Sequence, residues 1–332
     1  MRTFDRYLIT GATGYLGKVI INKILSAGGK VRALVLPGDP MIKELPSDVE
    51  IVYGNVEEST SLKEFFSGDL SNSCLIHCAG IISIASKRQK KLWSVNVLGT
   101  KHIVDLCILH GVSRVVHVSS VHAIPEKKKG ETITEVSSFF ADKVKGQYAK
   151  SKAFGTEYAL IAAEKGLDLS VVHPSGIIGP YDSKGNVSST ILSFCKKELP
   201  AAVIGGYDFV DVRDVADGII ACAQNGSRGE CYILSGQYVT LQVILDYING
   251  LGLGKAPLYL PLWLVKMVSP FFELSCLLRK KPLFLTPYSA YTLGSNALFS
   301  HEKASKELGY APRDIKESLK DTIDWMKEKK LI

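Results

Sequence analysis

Nothing in these 332 residues repeats, no low-complexity tract interrupts them, and no glycine- or serine-rich linker divides them. Disorder is therefore not indicated, and any two lobes should be intimately packed. The seven cysteines (74, 78, 107, 195, 222, 231 and 276) are an odd set without a CxxC, and no Cys/His ligand spacing recurs. A disulfide framework and a metal centre are not expected; the thiols read as small buried apolar side chains of a reducing, cytoplasmic protein. The net charge of +7 is scattered over short clusters, KRQKK at 87–91, KKK at 127–129 and RKK at 279–281. No basic stripe interleaved with aromatics appears, so nucleic acid is not an expected partner. The opening MRTFDRYLITG enters a strand within about six residues, which leaves no room for a signal or transit peptide. A long uninterrupted apolar run is missing too. In the most apolar stretch, LPLWLVKMVSPFFELSCLL (260–278), Pro261, Pro270, Lys266 and Glu273 break any run toward the ~20 residues of a span.

What is present is a globular composition, 46% hydrophobic and 22% charged, at a length that suits one large α/β unit with an appended lobe. Short apolar runs alternate with helical periodicity: RYLIT (6–10), KVRALVL, VEIVYGN (49–55), CLIHCAG (74–80), RVVHVSS (114–120) and LDLSVVHPSGIIG read as six strands. SVNVLGTKHIVDLCILHG (94–111) and YAKSKAFGTEYALIAAEKG read as helices between them. This alternation predicts an α/β fold with a Rossmann-type, doubly wound parallel sheet over residues 1–180. Residues 181–332, where the pattern loosens, should form mainly a smaller substrate lobe, with some segments returning to the core.

Directly after the first strand, GATGYLG opens a helix. Glycines at 11, 14 and 17 permit a tight turn and let backbone N–H groups approach a pyrophosphate. Gly11, Thr13, Gly14, Tyr15, Leu16 and Gly17 are thus the candidate phosphate cradle. At the end of the second strand Val35 and Leu36 stand where an acid would accept from a ribose 2′-hydroxyl. Arg32 and Lys43 are cations that could attract a 2′-phosphate, which leans the cofactor toward NADP(H) over NAD(H); Asp39 in the next turn is the alternative ribose partner.

Tyr148 and Lys152 are spaced i, i+4 and share a helix face. A phenol titrates near 10, and an ammonium one turn away should pull it toward the working range of an acid or base. Ser120, at the carboxyl end of a predicted strand, would polarise a substrate oxygen. His77, His117 and His173 lie in or next to strands and read as core residues rather than ligands. Asp211, Arg213 and Asp214 read as an ion-pair cluster at the junction with the lobe.

The motifs TGATGYLG (10–17), HCAG (77–80), NVLGT (96–100), SS (119–120), YAKSK (148–152), HPSGIIGP (173–180), FVDVRDVA (209–216) and ELGYAPR (307–313) span nearly the whole chain. Together they resemble the extended short-chain dehydrogenase/reductase superfamily, and most closely its branch with 3β-hydroxysteroid dehydrogenases and dihydroflavonol reductases. The resemblance implies Tyr148 as acid/base, Lys152 as its tuner and ribose ligand, Ser120 (or Ser119) as orienter of the substrate oxygen, and Asn96 as support for a proton relay. It also implies Pro174, Ser175 and Ile177 around a nicotinamide, Ala79 and Gly80 against the adenosine ribose and phosphate, and Asn55 near the adenine, with Val56 beside it. Where NADP-specific members of the branch often carry an arginine, this chain has Leu36.

Lys266, Glu273 and Lys280 recur every seven residues and would form one polar stripe on a helix that is otherwise apolar. Such a helix would pack in the lobe, where it could wall an apolar pocket, or lie at a membrane surface. The expected function is an NAD(P)-dependent interconversion of an alcohol and a ketone or aldehyde on a bulky, largely apolar small molecule. The alternative is a nucleotide-sugar epimerase or dehydratase, whose diphosphate would call on Lys184, Lys196, Lys197 or Arg213. A peripheral membrane contact and a homodimer both remain open.

Overall fold

A computed structural model describes residues 1–87, 89–182, 185–279 and 285–332. Arg88, Lys184, Lys280 and Lys281 of the clusters named above lie outside the described residues. The first half follows the apolar runs: β1 (Arg6–Thr10), α1 (Tyr15–Ser26), β2 (Val31–Val35), β3 (Glu50–Tyr53) and β4 (Ser73–His77). The helix expected at 94–111 begins earlier. It runs as α2 (Lys90–Trp93), a π-helical turn (Ser94–Gly99) and α3 (Thr100–Leu109) without a break. Next come β5 (Arg114–Val118), α4 (Gln147–Glu164) and β6 (Leu169–Pro174).

Residues 167–179, expected as one strand and a loop, make two strands. β6 stays in the main sheet, and β7 (Gly176–Ile178) leaves it. Pro174, without an N–H to continue a ladder, ends β6. The remainder comprises α5 (Asn186–Cys195), β8 (Ala201–Val203), β9 (Gly206–Asp211), α6 (Val212–Asn225), β10 (Cys231–Leu234), β11 (Gln237–Thr240), α7 (Leu241–Gly250), β12 (Leu258–Leu260), α8 (Leu262–Leu278), α9 (Pro287–Thr292), α10 (Glu302–Leu308) and α11 (Ile315–Glu328).

Seven strands pair in the order β10-β6-β5-β4-β1-β2-β3, every pairing parallel. This is the Rossmann-type sheet, and its order reverses between β1 and β4, where ligands bind in such folds. Both faces are covered, which is why the strands are buried along nearly their whole length. The seventh strand, β10, comes from beyond residue 180, and α6 packs with α1 on one face. Outside this sheet lie a three-stranded sheet, β11-β9-β7, and the pair β12-β8. At the junction Arg213 pairs with Asp211 and with Asp321 of α11, and Arg313 pairs with Asp214. The charged triplet at 211–214 therefore fastens α11 to the start of α6.

Candidate active site

The loop after β1 is built by close approach. Gly11 has φ +67°, and a Cβ there would stand 2.8 Å from the backbone of Cys78 and of Ala79. Only glycine lets the carboxyl ends of β1 and β4 meet this tightly. A Cβ on Gly17 would likewise collide with the Gly11 carbonyl. α1 starts at Tyr15 after an extended Gly14 that offers no side-chain cap, so its first N–H groups are left for a ligand. Tyr15 lines the same cleft, with its hydroxyl buried against Gly179. A glycine cradle and an uncapped helix start together fit the pyrophosphate half of a dinucleotide.

One cleft of about 410 Å³ gathers Gly11, Gly14, Tyr15, Leu16 and Gly17 with Gly80, Ser120, Tyr148, Lys152, Pro174, Ser175 and Ile177. Ser119, Ile82, Val118, His122 and Val187 complete much of its wall. Other candidates stand behind this lining. Ala79 donates its N–H to Thr10 Oγ1 at 3.1 Å. Thr13 donates to Asp39 Oδ2 at 2.7 Å and so ties the glycine loop to the turn after β2. Asn55, just past β3, accepts from Glu57 N–H through its Oδ1, and Val56 is buried where its carbonyl meets His102 Nδ1 at 2.8 Å.

Arg32 is a correction. It sits near the amino end of β2, opposite Glu50, and its guanidinium is buried. It donates to Glu50 Oε1 (2.9 Å), Phe65 O (3.1 Å) and Ser67 O (2.7 Å). Cofactors bind at the opposite, carboxyl ends of these strands. Arg32 therefore cannot meet a 2′-phosphate.

Tyr148, Lys152, Ser120 and Ser119 are all buried, brought together by α4 crossing the end of β5. Lys152 Nζ donates to Val118 O at 2.9 Å, and the Ser120 side chain is near enough to the Tyr148 phenol to lower its pKa. Burial pushes the phenol up to about 12, and the nearby Ser120 only partly offsets this. The lowering expected from Lys152 does not appear: desolvation raises the phenol, and the group that opposes it is Ser120. Lys152 is itself pushed down to about 8 by burial. Asn96, on the π-helical turn, is fully engaged through its amide. Its Oδ1 accepts from Ile81 N–H at 2.8 Å, and its Nδ2 donates to Ile81 O (2.9 Å) and Ser151 Oγ (3.0 Å). It braces the loop after β4 against α4.

His77 is bonded to Thr10 Oγ1 (2.7 Å) and Thr100 Oγ1 (3.2 Å), and His173 Nδ1 donates to the Ser120 carbonyl at 3.0 Å. His117 is buried and stacked on His77. The histidine that reaches the cleft is His122, two residues past Ser120, whose ring lies 5.7 Å from that of Tyr148. Tyr207 Oη is 3.1 Å from its Nε2 and Tyr288 Oη 3.0 Å from its Nδ1. Burial holds the imidazole down at about 4, so it is neutral and one of these phenols must donate while the other accepts. Its place in the SSVH run was a usable signal; Tyr207 and Tyr288, distant in sequence and in no motif, gave none.

The apolar stretch forms α8 with its polarity reversed. Ser269 and Glu273 face inward, whereas Trp263, Met267, Phe271 and Leu278 are exposed, and no residue of α8 lines the cleft. Of the expected stripe, Glu273 thus lies toward the body of the protein, whereas Lys266 is exposed.

The family model for the NAD-dependent epimerase/dehydratase family matches residues 7–235. Sterol demethylase protein B of Methylococcus capsulatus is 31% identical over 98% of this chain and 99% of its own length. The 3β-hydroxysteroid-dehydrogenase/decarboxylase isoform 1 of Arabidopsis thaliana is 28% identical over 83% of this chain and 66% of its own. The crystal structure of gox2253 is similar at 27% identity and a TM-score of 0.84, covering 99% of each chain. With the glycine cradle, the reversal between β1 and β4 and the Tyr148–Lys152–Ser120 cluster in one cleft, the chain belongs to the NAD-dependent epimerase/dehydratase family, within the extended short-chain dehydrogenases/reductases.

Proposed function

We propose that this protein reduces a ketone or aldehyde, or oxidises the corresponding alcohol, on a bulky and largely apolar substrate. The observation that carries the reading is the composition of the cleft. Around the polar cluster Ser120, Tyr148 and Lys152 the apolar part of the wall is Ile82, Val118, Pro174, Ile177 and Val187, with Ser119, His122, Ser175 and Asp182 as its other polar members. A pocket of this kind orients a ligand with a few polar guides and binds the rest through apolar area. Relatives named for sterols and 3β-hydroxysteroids support the same substrate class.

The roles follow from the environment of each group. A phenol pushed up to about 12 is protonated at neutral pH, so Tyr148 is set to donate to a carbonyl oxygen. Ser120, beside that phenol in the cleft, orients the same oxygen. Lys152 is cationic below about 8; it would hold the nicotinamide ribose and offset charge on Tyr148 once the proton has left. The glycine cradle and Tyr15 would hold the pyrophosphate. The bound nicotinamide supplies or accepts the hydride.

For the cofactor we propose NAD(H). Arg32 is spent inside the protein, and an acid, Asp39, stands beside the glycine loop through its bond with Thr13. An acid there accepts from a ribose hydroxyl and repels a 2′-phosphate.

The second reading, a nucleotide-sugar epimerase, has one observation in its favour. Across His122 lies another cavity, of about 410 Å³, whose rim includes Lys127, Lys128, Lys143 and Lys145. The cations expected to serve a diphosphate do not favour it. Lys196 and Lys197 are exposed at the end of α5, and Arg213 is paired with Asp211 and Asp321.

A turnover assay with steroid, terpenoid and aryl ketones, following absorbance of reduced cofactor, separates the two. Net consumption of NADH, with NADH bound more tightly than NADPH, is expected. Interconversion of a nucleotide sugar without net consumption, and no turnover of any apolar carbonyl, would reverse the assignment.

A further inference from the structure

α8 is a 17-residue helix turned inside out. Its inward face carries Val265, Ser269, Glu273 and Cys276, and Glu273, 6% exposed, accepts from the Ser86 N–H (2.8 Å) and hydroxyl (2.7 Å). Its outward face carries Trp263 (67% exposed), Met267, Phe271 (74%), Leu274, Leu277 and Leu278 (76%). A helix on a water-facing surface shows the opposite order. Trp263, Met267, Phe271, Leu274 and Leu278 recur at three- and four-residue spacing and so share one face, whereas soluble monomers rarely leave a large contiguous apolar patch exposed.

We propose that α8 lies in the surface of a lipid bilayer with this face immersed in it. Length excludes a crossing: 17 residues rise about 25 Å, and Pro270 interrupts the middle. Charge selects lipid over a second copy of the chain. Among the described residues of α8 and its C-cap, the exposed charges are Lys266 and Arg279, both positive, while the acid Glu273 is turned inward. A two-fold pairing of these faces would bring cations together without acids to answer them, whereas anionic headgroups complement them. The outward face between Trp263 and Leu278 also offers almost no hydrogen-bonding groups, of which protein interfaces carry about one per 100–200 Å².

The placement has a use. Ser86, held by Glu273, ends the loop whose Ile82 lines the cleft, and Thr286, just before α9, donates to Ile84 O of the same loop at 2.6 Å. α8 is therefore fastened to the loop that contributes Ile82 to the cleft, and an apolar substrate would pass from lipid along that loop to Tyr148. That passage rests on the function proposed above; the docking does not.

The test is flotation of the full-length protein with vesicles of equimolar phosphatidylcholine and phosphatidylglycerol, read without turnover, so that its failure leaves the carbonyl-reductase reading standing. Wild type should float with the vesicles, and Trp263→Gln/Phe271→Gln/Leu278→Gln should lower the bound fraction at least about tenfold while NADH binding persists. Should the triple variant not fold, Phe271→Gln alone, at a side chain three-quarters exposed, should still reduce flotation several-fold. Wild type remaining unbound, or equal flotation of the variants, would overturn the proposal. So would a dimer in sedimentation equilibrium that the substitutions dissolve, which would assign the face to a second copy.

Discussion

α4 and α8 both bury polar side chains, and the two do so with opposite results. On α4, Tyr148 and Lys152 point inward to a cleft, where burial perturbs both groups and leaves their chemistry waiting for a ligand. On α8, Ser269 and Glu273 also point inward, yet Glu273 is already answered by both donors of Ser86. A buried polar group facing a cleft marks chemistry, and one satisfied within the protein marks attachment. In the second case the face of interest is the other side of the helix.

The sharpest way to break this contrast is at Tyr148. Tyr148→Phe should lower kcat by about 10²–10⁴, the usual effect of losing a positioned acid, with NADH affinity unchanged. Steady-state kinetics beside a fluorescence titration checks both halves. Retention of more than about a tenth of kcat would remove Tyr148 from the reaction.

At the other helix the effect moves from rate to stability. Glu273→Ala leaves the Ser86 N–H and hydroxyl without their acceptor, so denaturant unfolding should show a loss of about 1–3 kcal/mol. Trp263→Ala, on the outer face, should leave both stability and KM for a water-soluble ketone near wild type. A raised KM in that variant would show that α8 does wall the pocket after all.

The smallest expected effect is in pH. Lys152 is cationic below about 8 and neutral above it. The reductive kcat/KM should therefore be level at lower pH and fall as pH rises through that value. A profile that stays level to the alkaline end would show that the charge on Lys152 is not needed.

The first half of the fold was readable because parallel strands buried on both faces must be short apolar runs, and RYLIT, CLIHC and RVVHV are such runs. β10 was not foreseen, since CYIL joins the sheet from a region without regular alternation. Those cleft residues that could be named sit at strand ends or at fixed helical spacing; Ile82, Asp182 and Val187, which share the lining, carry neither signal. Arg32 misled because residue type was weighed ahead of position: three residues before the end of its strand, opposite Glu50, it could only turn toward the wrong end of the sheet. α8 misled for a related reason. Its pattern is amphipathic, but pattern alone does not say which side meets the protein.

The π-helical turn at Ser94–Gly99 gives Asn96 its direction. An α-helix advances about 100° per residue, so one residue more or less in a turn rotates everything before it by that angle. The widened turn takes up one extra residue and aims Asn96 at Ile81 and Ser151 while α3 keeps Ile103, Val104 and Cys107 in the core. It works as a phase shifter between two parts of one helix, one registered to the cleft and the other to the sheet. The two faces can therefore change in sequence independently, provided that the turn keeps its length.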